Sequence, residues 1–235
     1  TAIRETIGSR FKLGEPCSFD DIDISKEYLQ SVNKIFIVAC GTAMYAGLVG
    51  KNIFEKLCRI PTEVDIASEF RYRNPLIDEK TLCIFISQSG ETADTIAALK
   101  LSKEKKCTTI AIVNVIESSI TRIADYVLYT HAGPEIAVAS TKAYTCQVTL
   151  LSILGIYIYE RLNEKIENAN ADDKLKEEVE RLKKDILKLP KKVEETLKCS
   201  EKMKELAHKY YKNKDIFFIG REVDYAVARE GSLKL

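Results

Sequence analysis

The sequence predicts an α/β protein whose core is a doubly wound parallel sheet. The first observation is a series of continuous apolar runs, as at residues 34–40 and 81–86. Such runs are typical of strands buried on both faces, because a sheet with one wet face would alternate apolar and polar residues. The second observation is that helical patterns separate the runs between residues 33 and 162, which predicts βαβ units.

The predicted elements follow the chain in the order that such a sheet requires. Strands are predicted at residues 34–40, 61–66, 81–86, 108–113 and 126–130, and helices at residues 24–32, 43–57, 93–105 and 141–162. Parallel strands need crossover connections, and the helices between the runs supply them. The last of these helices is apolar over most of its length, so we expect it to be buried.

The composition changes at Glu160, and the chain is then rich in Lys and Glu up to residue 214. Apolar residues spaced by three and four form a stripe along this segment: Leu175, Val179, Leu182, Ile186, Leu189, Val193 and Leu197. The stripe predicts a helical connector packed on a larger body, with an independent coiled coil as the alternative. Pro190 is expected to break or kink the helix.

The opening pattern returns near the end of the chain. Residues 33–37, N-K-I-F-I, have a counterpart in residues 213–220, N-K-D-I-F-F-I-G, and a helical pattern follows at residues 225–235. We therefore predict a strand here and the start of a second domain of the same type. The predicted organisation is a lead-in at residues 1–32, an α/β domain at 33–162, a connector at 163–212 and a truncated second domain at 213–235. Because the sequence begins with Thr1 rather than Met, we expect it to be part of a longer chain.

Composition and charge argue against several classes of function. The 36 Lys and Arg residues against 35 Asp and Glu residues leave a net charge of +1, without the basic excess typical of nucleic-acid binding. The seven cysteines form no C-x-x-C pair and the two histidines complete no zinc-ligand spacing, so we expect neither a metal nor a cofactor. Cysteines inside apolar runs indicate a reduced, cytoplasmic protein. No apolar run has the length of a membrane span, so we expect neither a membrane partner nor a signal peptide.

Three turns fall at the predicted carboxyl ends of strands, where open α/β sheets bind ligands. The most informative is S-Q-S-G-E-T at residues 87–92, directly before a predicted helix. A helix N-terminus carries unpaired N–H groups and partial positive charge, and hydroxyls add donors, so this turn can hold a phosphate without Lys or Arg. An ordinary N-cap cluster, with Ser89 as the cap and Glu91 and Thr92 in the first turn, fits the same residues.

The other two turns are less specific. They are Gly41-Thr42 after the first strand and residues 138–141 before the long apolar helix. A hydroxyl before a helix is more often a cap than a ligand contact. The G-x-G-x-x-G fingerprint is absent, which argues against a nicotinamide or flavin cofactor. Three hydroxyl-bearing turns at one sheet edge nevertheless favour a binding site there.

Four segments of the chain resemble one family. They are A-C-G-T at residues 39–42, A-S-E-F-R-Y-R at 67–73, S-Q-S-G-E-T-A-D-T at 87–95 and E-I-A-V-A-S-T-K-A at 135–143. These segments, and nearly all of the chain, resemble the isomerase part of the glutamine–fructose-6-phosphate aminotransferases, also called glucosamine-6-phosphate synthases. The wider group is that of the sugar isomerase (SIS) domains, which implies a flavodoxin-like sandwich. S-Q-S-G-E-T is shared widely in that group, whereas the second and fourth segments narrow the resemblance to the aminotransferases.

The resemblance implies a role for each matching residue. The expected phosphate-binding residues are Thr42, Ser87, Gln88, Ser89 and Thr92. Val138 and Ser140 are expected to line the sugar, and Lys234 to be catalytic at its reacting end. Some relatives have a serine where this chain has Ala43, so no polar contact is expected there. Residues 69–73 are expected to be structural, through ion pairs and packing.

The resemblance also implies a reaction, in which fructose 6-phosphate and glutamine give glucosamine 6-phosphate and glutamate. In the family a glutamate after the lysine, a histidine and a C-terminal lysine take part, and a separate glutaminase domain releases ammonia. The sequence lacks these parts, so we expect it to bind fructose 6-phosphate or glucosamine 6-phosphate without turnover. The family site borrows a histidine from a neighbouring subunit, so the whole protein is expected to be a homodimer.

Three other functions stay open at this point. A non-catalytic SIS sugar-phosphate sensor would be supported by a fused DNA-binding segment, and none is recognised. Another SIS phosphosugar isomerase or deglycase would keep S-Q-S-G-E-T without the combination of A-S-E-F-R-Y-R and V-A-S-T-K-A. An interaction scaffold built on the helices of residues 160–214 would lose self-association when those helices are truncated.

Overall fold

A five-stranded sheet organises the protein, and helices cover both of its faces. The computed structural model describes residues 1–20, 22–137, 139–163 and 173–235. The strands are β1 (Lys34–Ala39), β2 (Thr62–Ile66), β3 (Thr81–Ser87), β4 (Thr108–Val113) and β5 (Tyr126–Tyr129). The helices are α1 (Ala2–Ile7), α2 (Lys26–Ser31), α3 (Thr42–Leu57), α4 (Ala67–Tyr72), α5 (Ala93–Glu104), α6 (Lys142–Leu162), α7 (Asp173–Leu197), α8 (Ser200–Tyr210) and α9 (Val223–Lys234), with a 3₁₀ turn at Ser119–Arg122.

The strand order confirms the predicted doubly wound topology. The order across the sheet is β2-β1-β3-β4-β5, and every neighbouring pair is parallel. The chain therefore moves outward from β1 in one direction to β2 and in the other through β3 to β5. Such a reversal opens a crevice beyond the carboxyl ends of the two strands at the switch point, here β1 and β3.

The continuous apolar runs have their cause in two separate apolar layers. Successive side chains of a strand point to opposite faces. In β1, Ile35 and Ile37 join the layer that contains α3 and α6, while Phe36 and Val38 join the layer under α4 and α5. Phe36 meets Phe70 of α4 edge to face, with ring centroids 5.4 Å apart. A strand between two such layers has no wet face, so its sequence does not alternate.

The helical connector differs from the prediction at one position. Helix α7 continues through Pro190, so of the two predicted alternatives, a break or a kink, the break does not occur. Proline removes one backbone hydrogen bond, but Leu189 and Val193 pack on the core on either side of it and hold the helix in place. Buried Lys183 ties α7 to α6 by pairing with Glu160. The apolar stripe from Leu175 to Val193 thus packs on the α/β body, as the first of the two interpretations expected, whereas Leu197 at its end is 69% exposed.

The strand predicted within residues 213–220 does not form. Residues 215–220 have no regular structure, and Phe217 and Ile219 are 90% and 91% exposed. A parallel strand exists only through hydrogen bonds to neighbouring strands, and no strand of the described residues lies beside this segment. The helix that follows does form, as α9, and it packs against α3 through Arg229, whose guanidinium lies 5.4 Å from the Tyr45 ring centroid.

Two short helices, α1 and α4, were absent from the sequence-based prediction. Both have only six residues, too few for a helical period to stand out. In the part of the chain that is described, no helix combines the length and apolar character that a bilayer crossing requires.

Candidate functional site

A cleft of about 280 Å³ opens at the switch point of the sheet, beyond β1 and β3. Its walls are the first turn of α3, the end of β3 with the turn that follows, and the start of α6. The lining residues are Cys40, Thr42, Ala43, Ile86, Ser87, Gln88, Ser89, Thr92, Ser140 and Gln147. The structure therefore brings together all the sequence-predicted phosphate-binding residues, along with Ser140 on the sugar side. Among the described residues, no group of three His, Cys, Asp or Glu side chains is arranged to hold a metal ion.

The turn between β3 and α5 concentrates hydroxyl groups at one point. Ser87 is 3% exposed, and its Oγ lies 3.2 Å from Oγ1 of Thr92. The same Oγ accepts a hydrogen bond of 3.0 Å from the backbone N–H of Gly90. Ser89 and Thr92 are half-buried, so their hydroxyls can still reach a ligand. The turn is a compact, donor-rich pocket wall that needs no cationic side chain.

Gly90 allows this turn to fold closely against the 3₁₀ turn. Its φ of +70° lies in the left-handed region, and a Cβ built there would lie 2.0 Å from Oγ of Ser118. Any other residue would therefore be strained and would clash. Glu91 also holds the two turns together on their solvent-exposed side, because its carboxylate accepts a 2.6 Å hydrogen bond from the backbone N–H of Ser119. Hydrogen bonds from the Ser119 hydroxyl and backbone lower the pKa of Glu91.

The N-terminus of α5 points to the cleft without a side-chain cap. Thr92 is the N-cap residue, and its side chain makes no capping hydrogen bond. Ser89 does not cap the helix either; its Oγ accepts from the N–H of Glu91, within the turn. The capping interpretation with Ser89 as N-cap is therefore wrong. Uncapped N–H groups and the partial positive charge of a 12-residue helix are suited to binding an anion.

Thr42 forms the opposite wall and connects the cleft to α9. Lys234 donates a 2.7 Å hydrogen bond from Nζ to Oγ1 of Thr42. Its Nζ also lies 3.0 Å from Oε1 of Glu230, one helical turn earlier, whose carboxylate accepts no well-aligned hydrogen bond. A cation thus stands at the rim of the cleft, across from the Ser87–Thr92 turn. Ala43 lines the cleft with a methyl group and offers no polar contact.

Glu135 holds the loop that leads into α6. Its Oε2 accepts hydrogen bonds from Oγ of Ser140 at 3.3 Å, from N of Thr141 at 3.1 Å and from N of Ala143 at 3.3 Å. Burial raises the pKa of Glu135, but these hydrogen bonds outweigh that effect, so the pKa lies below its ordinary value. Ser140 is thereby fixed at the edge of the cleft. Val138 lies outside the described residues.

The motif at residues 67–73 contributes packing and ion pairs, as expected. Phe70 is fully buried under β1, Arg71 pairs with Asp94 at 2.8 Å, and Arg73 pairs with Asp65 at 2.6 Å. None of these residues lines the cleft. Asp94 belongs to the first turn of α5, so the Arg71 pair helps to hold the helix that presents its N-terminus to the cleft.

Sequence reasoning missed two residues that the structure places at the site. Gln147 lines the cleft from α6, and Glu135 positions Ser140. A signal for Gln147 exists in the sequence, since a carboxamide interrupts a run of apolar residues in a helix predicted to be buried. Glu135 gave no signal beyond its place in a matching segment, because its role depends on the loop folding back on it.

Comparison with known proteins agrees with this geometry. The model of the SIS domain family matches residues 28–157, which contain the whole sheet and the cleft. The chain belongs to the SIS domain family. The matched region includes the turn after β3, the loop held by Glu135 and most of α6, and the match ends before the connector and α9.

Two curated relatives of this SIS domain share one name. The chain is 56% identical over 233 residues to the glutamine–fructose-6-phosphate aminotransferase (isomerizing) of Clostridium tetani, covering 99% of this chain and 37% of that relative. It is 53% identical over 234 residues to the enzyme of the same name from Clostridium acetobutylicum, with 100% and 37% covered. The chain thus spans about 37% of the length of these curated relatives.

Solved structures give the same picture. The C-terminal domain of glucosamine-fructose-6-phosphate aminotransferase from Francisella tularensis matches with a TM-score of 0.84 and 35% identity, over 99% of this chain and 62% of that one. A putative phosphosugar isomerase from Bacillus subtilis matches with a TM-score of 0.68 and 26% identity, over 88% and 61%. The first match extends over the connector and α9, which lie outside the SIS family match.

Proposed function

We propose that this SIS domain binds a sugar phosphate, with the phosphate group at the turn of residues 87–92. The observation that carries the proposal is the convergence of the Ser87, Ser89 and Thr92 hydroxyls on the uncapped N-terminus of α5, at the switch point of the sheet. Backbone N–H groups and hydroxyls bind phosphate oxygens by hydrogen bonds, and the helix dipole favours the negative charge. Gln88 and Thr42 complete the phosphate-binding set from the two sides of the cleft.

The sugar would extend from the phosphate towards α6 and α9. Ser140, in the loop that leads into α6, would line the sugar, and so would Val138, which lies outside the described residues. Lys234 would act at the reacting end, because its ammonium group, 2.7 Å from Thr42, can stabilise negative charge that develops on a sugar oxygen during isomerisation. In this proposal Thr42 contacts both the ligand and the lysine.

The whole protein would catalyse the reaction after which its relatives are named. Fructose 6-phosphate and glutamine would give glucosamine 6-phosphate and glutamate, without a metal or other cofactor. The 235-residue chain would bind fructose 6-phosphate or glucosamine 6-phosphate but not turn it over, because Lys234 alone is not a complete acid–base apparatus. Detection of glucosamine 6-phosphate above background, after incubation with fructose 6-phosphate and ammonia, would contradict this.

The organisation of the whole protein is part of the same proposal. Residues 33–162 would be the first SIS domain after a lead-in at 1–32, residues 163–212 the connector, and residues 213–235 the beginning of a second SIS domain. The whole protein would be a cytoplasmic homodimer with no nucleic-acid or membrane partner. The support is the similarity to the named relatives and the repeated sequence pattern at residues 213–220.

Thermal unfolding with a set of ligands tests the phosphate site. A ligand at a hundred times its Kd stabilises the folded state by about 2.7 kcal/mol, which raises Tm by roughly 5–10 °C for a chain of this size. We expect this shift with fructose 6-phosphate and glucosamine 6-phosphate, and none with glucosamine. The variant with Ser89→Ala and Thr92→Ala should lose it.

A matched control separates loss of binding from loss of structure. Ser31→Ala with Thr196→Ala removes two hydroxyls that donate to carbonyls of their own helices, far from the cleft. This control should keep the full ligand-induced shift. No shift in the unsubstituted chain, or an equal shift in both double variants, would overturn the proposed phosphate site.

A further inference from the structure

The side-chain oxygen of Gln147 is buried in the wall of the cleft without a hydrogen-bond partner. The residue is 2% exposed, and its Oε1 accepts no hydrogen bond. Within the described part of the chain, buried side-chain atoms without a partner occur on Thr95, Ser118, Tyr144, Gln147 and Glu230. Gln147 is the member of this group that lines the cleft. Gln147 therefore borders the space that a ligand would occupy, and its unpaired oxygen lies just behind that wall.

Two other polar residues on the same helix, Thr149 and Ser152, do have hydrogen-bond partners. The hydroxyl of Thr149 donates to the carbonyl of Thr145 at 2.8 Å, and the hydroxyl of Ser152 donates to the carbonyl of Val148 at 2.8 Å. Both side chains are satisfied within α6. A carboxamide left unpaired in the interior destabilises the fold, and a leucine or methionine at this position would avoid the penalty. Tyr144 on the same helix also has a buried hydroxyl without a partner, but it does not line the cleft. Of these two unpaired groups, that of Gln147 is the one placed to take a partner from a bound ligand.

We propose that the Gln147 carboxamide hydrogen-bonds to a hydroxyl of the sugar and thereby contributes to the choice of ligand. The inference rests on the proposed function and adds a specificity-determining residue to it. The phosphate oxygens are served by the turn after β3, whereas Gln147 and Ser140 belong to the α6 wall, on the sugar side. A carboxamide offers one acceptor and two donors, which suits a hydroxyl that both donates and accepts. It carries no charge and therefore gives little attraction to the phosphate itself.

The test compares ligands that share the phosphate but differ in hydroxyl groups. Titration calorimetry on the 235-residue chain would use fructose 6-phosphate, glucosamine 6-phosphate and inorganic phosphate, with unsubstituted protein, Gln147→Leu and Gln147→Met. Gln147→Met keeps the length of the side chain and serves if the branched leucine disturbs packing. Thr149→Val is the matched control, because Thr149 is also 2% exposed on α6 and its hydroxyl is already paired within the helix.

Two readouts are expected to move in opposite directions. The Gln147 variants should bind at least one of the sugar phosphates about tenfold more weakly, while the affinity for inorganic phosphate stays within about twofold, as loss of one hydrogen bond implies. The Tm of the ligand-free variants should rise by about 2–4 °C, because the unpaired amide is gone. A residue with a merely structural role would instead lower the Tm when replaced.

Each outcome has a distinct meaning. Binding of both sugar phosphates by the Gln147 variants with unchanged affinity would overturn the inference and leave the proposed function standing. The same would follow if inorganic phosphate weakened in parallel, or if the ligand-free Tm fell, because the amide would then hold a structural water or the turn itself. Failure of the unsubstituted chain to bind any of the three ligands would instead overturn the proposed function.

Discussion

Two segments of similar sequence have different structures in this molecule. Residues 34–39 form β1, which is paired on both sides and almost completely buried. Residues 215–219 repeat the pattern of a charged residue followed by apolar ones, yet they form no strand, and Phe217 and Ile219 are about as exposed as side chains can be. The intrinsic preference for strand is similar, because both segments consist largely of Ile and Phe.

The difference lies in the neighbours and not in the residues themselves. β1 exchanges hydrogen bonds with β2 and β3, and its side chains enter two apolar layers. The C-terminal segment has helix α9 behind it and no strand beside it among the described residues. A strand therefore forms only where neighbouring strands can pair with it. An apolar run in the sequence indicates that a segment is able to form a strand, but not that it does. Four experiments test how far this comparison extends.

The largest expected difference is in amide hydrogen exchange. The N–H groups of Ile35–Ala39 should exchange only through global unfolding, with protection factors on the order of 10⁴ or more, because both sides of β1 are bonded. The N–H groups of Ile216–Ile219 should exchange close to the rate of an unstructured peptide. Mass spectrometry of the deuterated chain measures both segments at once. Slow exchange at residues 216–219 would mean that a partner strand forms there in solution.

A pair of identical substitutions gives the next largest effect. Ile37→Ala should lower the free energy of unfolding by about 2–5 kcal/mol, because Ile37 is fully buried against Gly47 and Gly50 of α3. Ile219→Ala removes the same atoms from a side chain that is 91% exposed and should change stability by less than about 0.5 kcal/mol. Urea denaturation measures the free energy of unfolding of both variants, analysed with one common dependence on urea concentration. Similar costs at the two positions would refute the contrast.

Helix α9 sharpens the comparison, because the same C-terminal segment also contributes to the cleft. Lys234→Met should weaken sugar-phosphate binding about tenfold or more, since a charge-assisted hydrogen bond to Thr42 and a nearby cation are lost. Lys209→Met, on exposed α8, is the matched control and should bind normally. Titration calorimetry decides. Equal affinity in both variants would mean that Lys234 only anchors α9 to α3.

The smallest expected effect concerns the loop held by Glu135. Its pKa is lowered in the folded protein, so the carboxylate stabilises the fold fully above its ordinary value of about 4.5 and loses that contribution as the pH falls through the lower, folded value. Because the group is only partly buried and water screens its charge, we expect a contribution of about 0.5 kcal/mol or less. Glu135→Gln should remove this part of the pH dependence in urea denaturation below pH 4.5 and change nothing in slope above pH 6. If the free energy of unfolding of Glu135→Gln depends on pH below 4.5 just as that of the unsubstituted chain does, the role given to Glu135 is wrong.

Much of the fold followed from the sequence, for reasons that the two segments make clear. The strands β1, β3 and β4 could be predicted, because a strand that is buried on both faces of the sheet must be apolar throughout. The absence of a strand at residues 215–219 could not be predicted from the sequence, because it depends on whether another strand lies beside the segment. The continuation of α7 through Pro190 could not be predicted either, since packing on both sides of the proline outweighs its tendency to break a helix.

The site was predictable where adjacent residues act together. Ser87, Ser89 and Thr92 lie in one turn, so their convergence follows from local geometry. Gln147 and Glu135 were missed, because their positions depend on α6 and its leading loop folding across the sheet edge. Lys234, far along the chain, was assigned by resemblance alone, and the structure brings it to Thr42.

The central claim is that a phosphate group occupies the N-terminus of α5, and backbone amide chemical shifts test it most directly. Addition of fructose 6-phosphate or inorganic phosphate to the ¹⁵N-labelled chain should move the amide signals of Ser89, Thr92 and Ala93 and leave those of Ile216–Ile219 unchanged. Glucosamine without a phosphate should move none of the three. If the sugar phosphate shifts amides elsewhere and spares residues 87–93, the phosphate site lies elsewhere and the account is wrong.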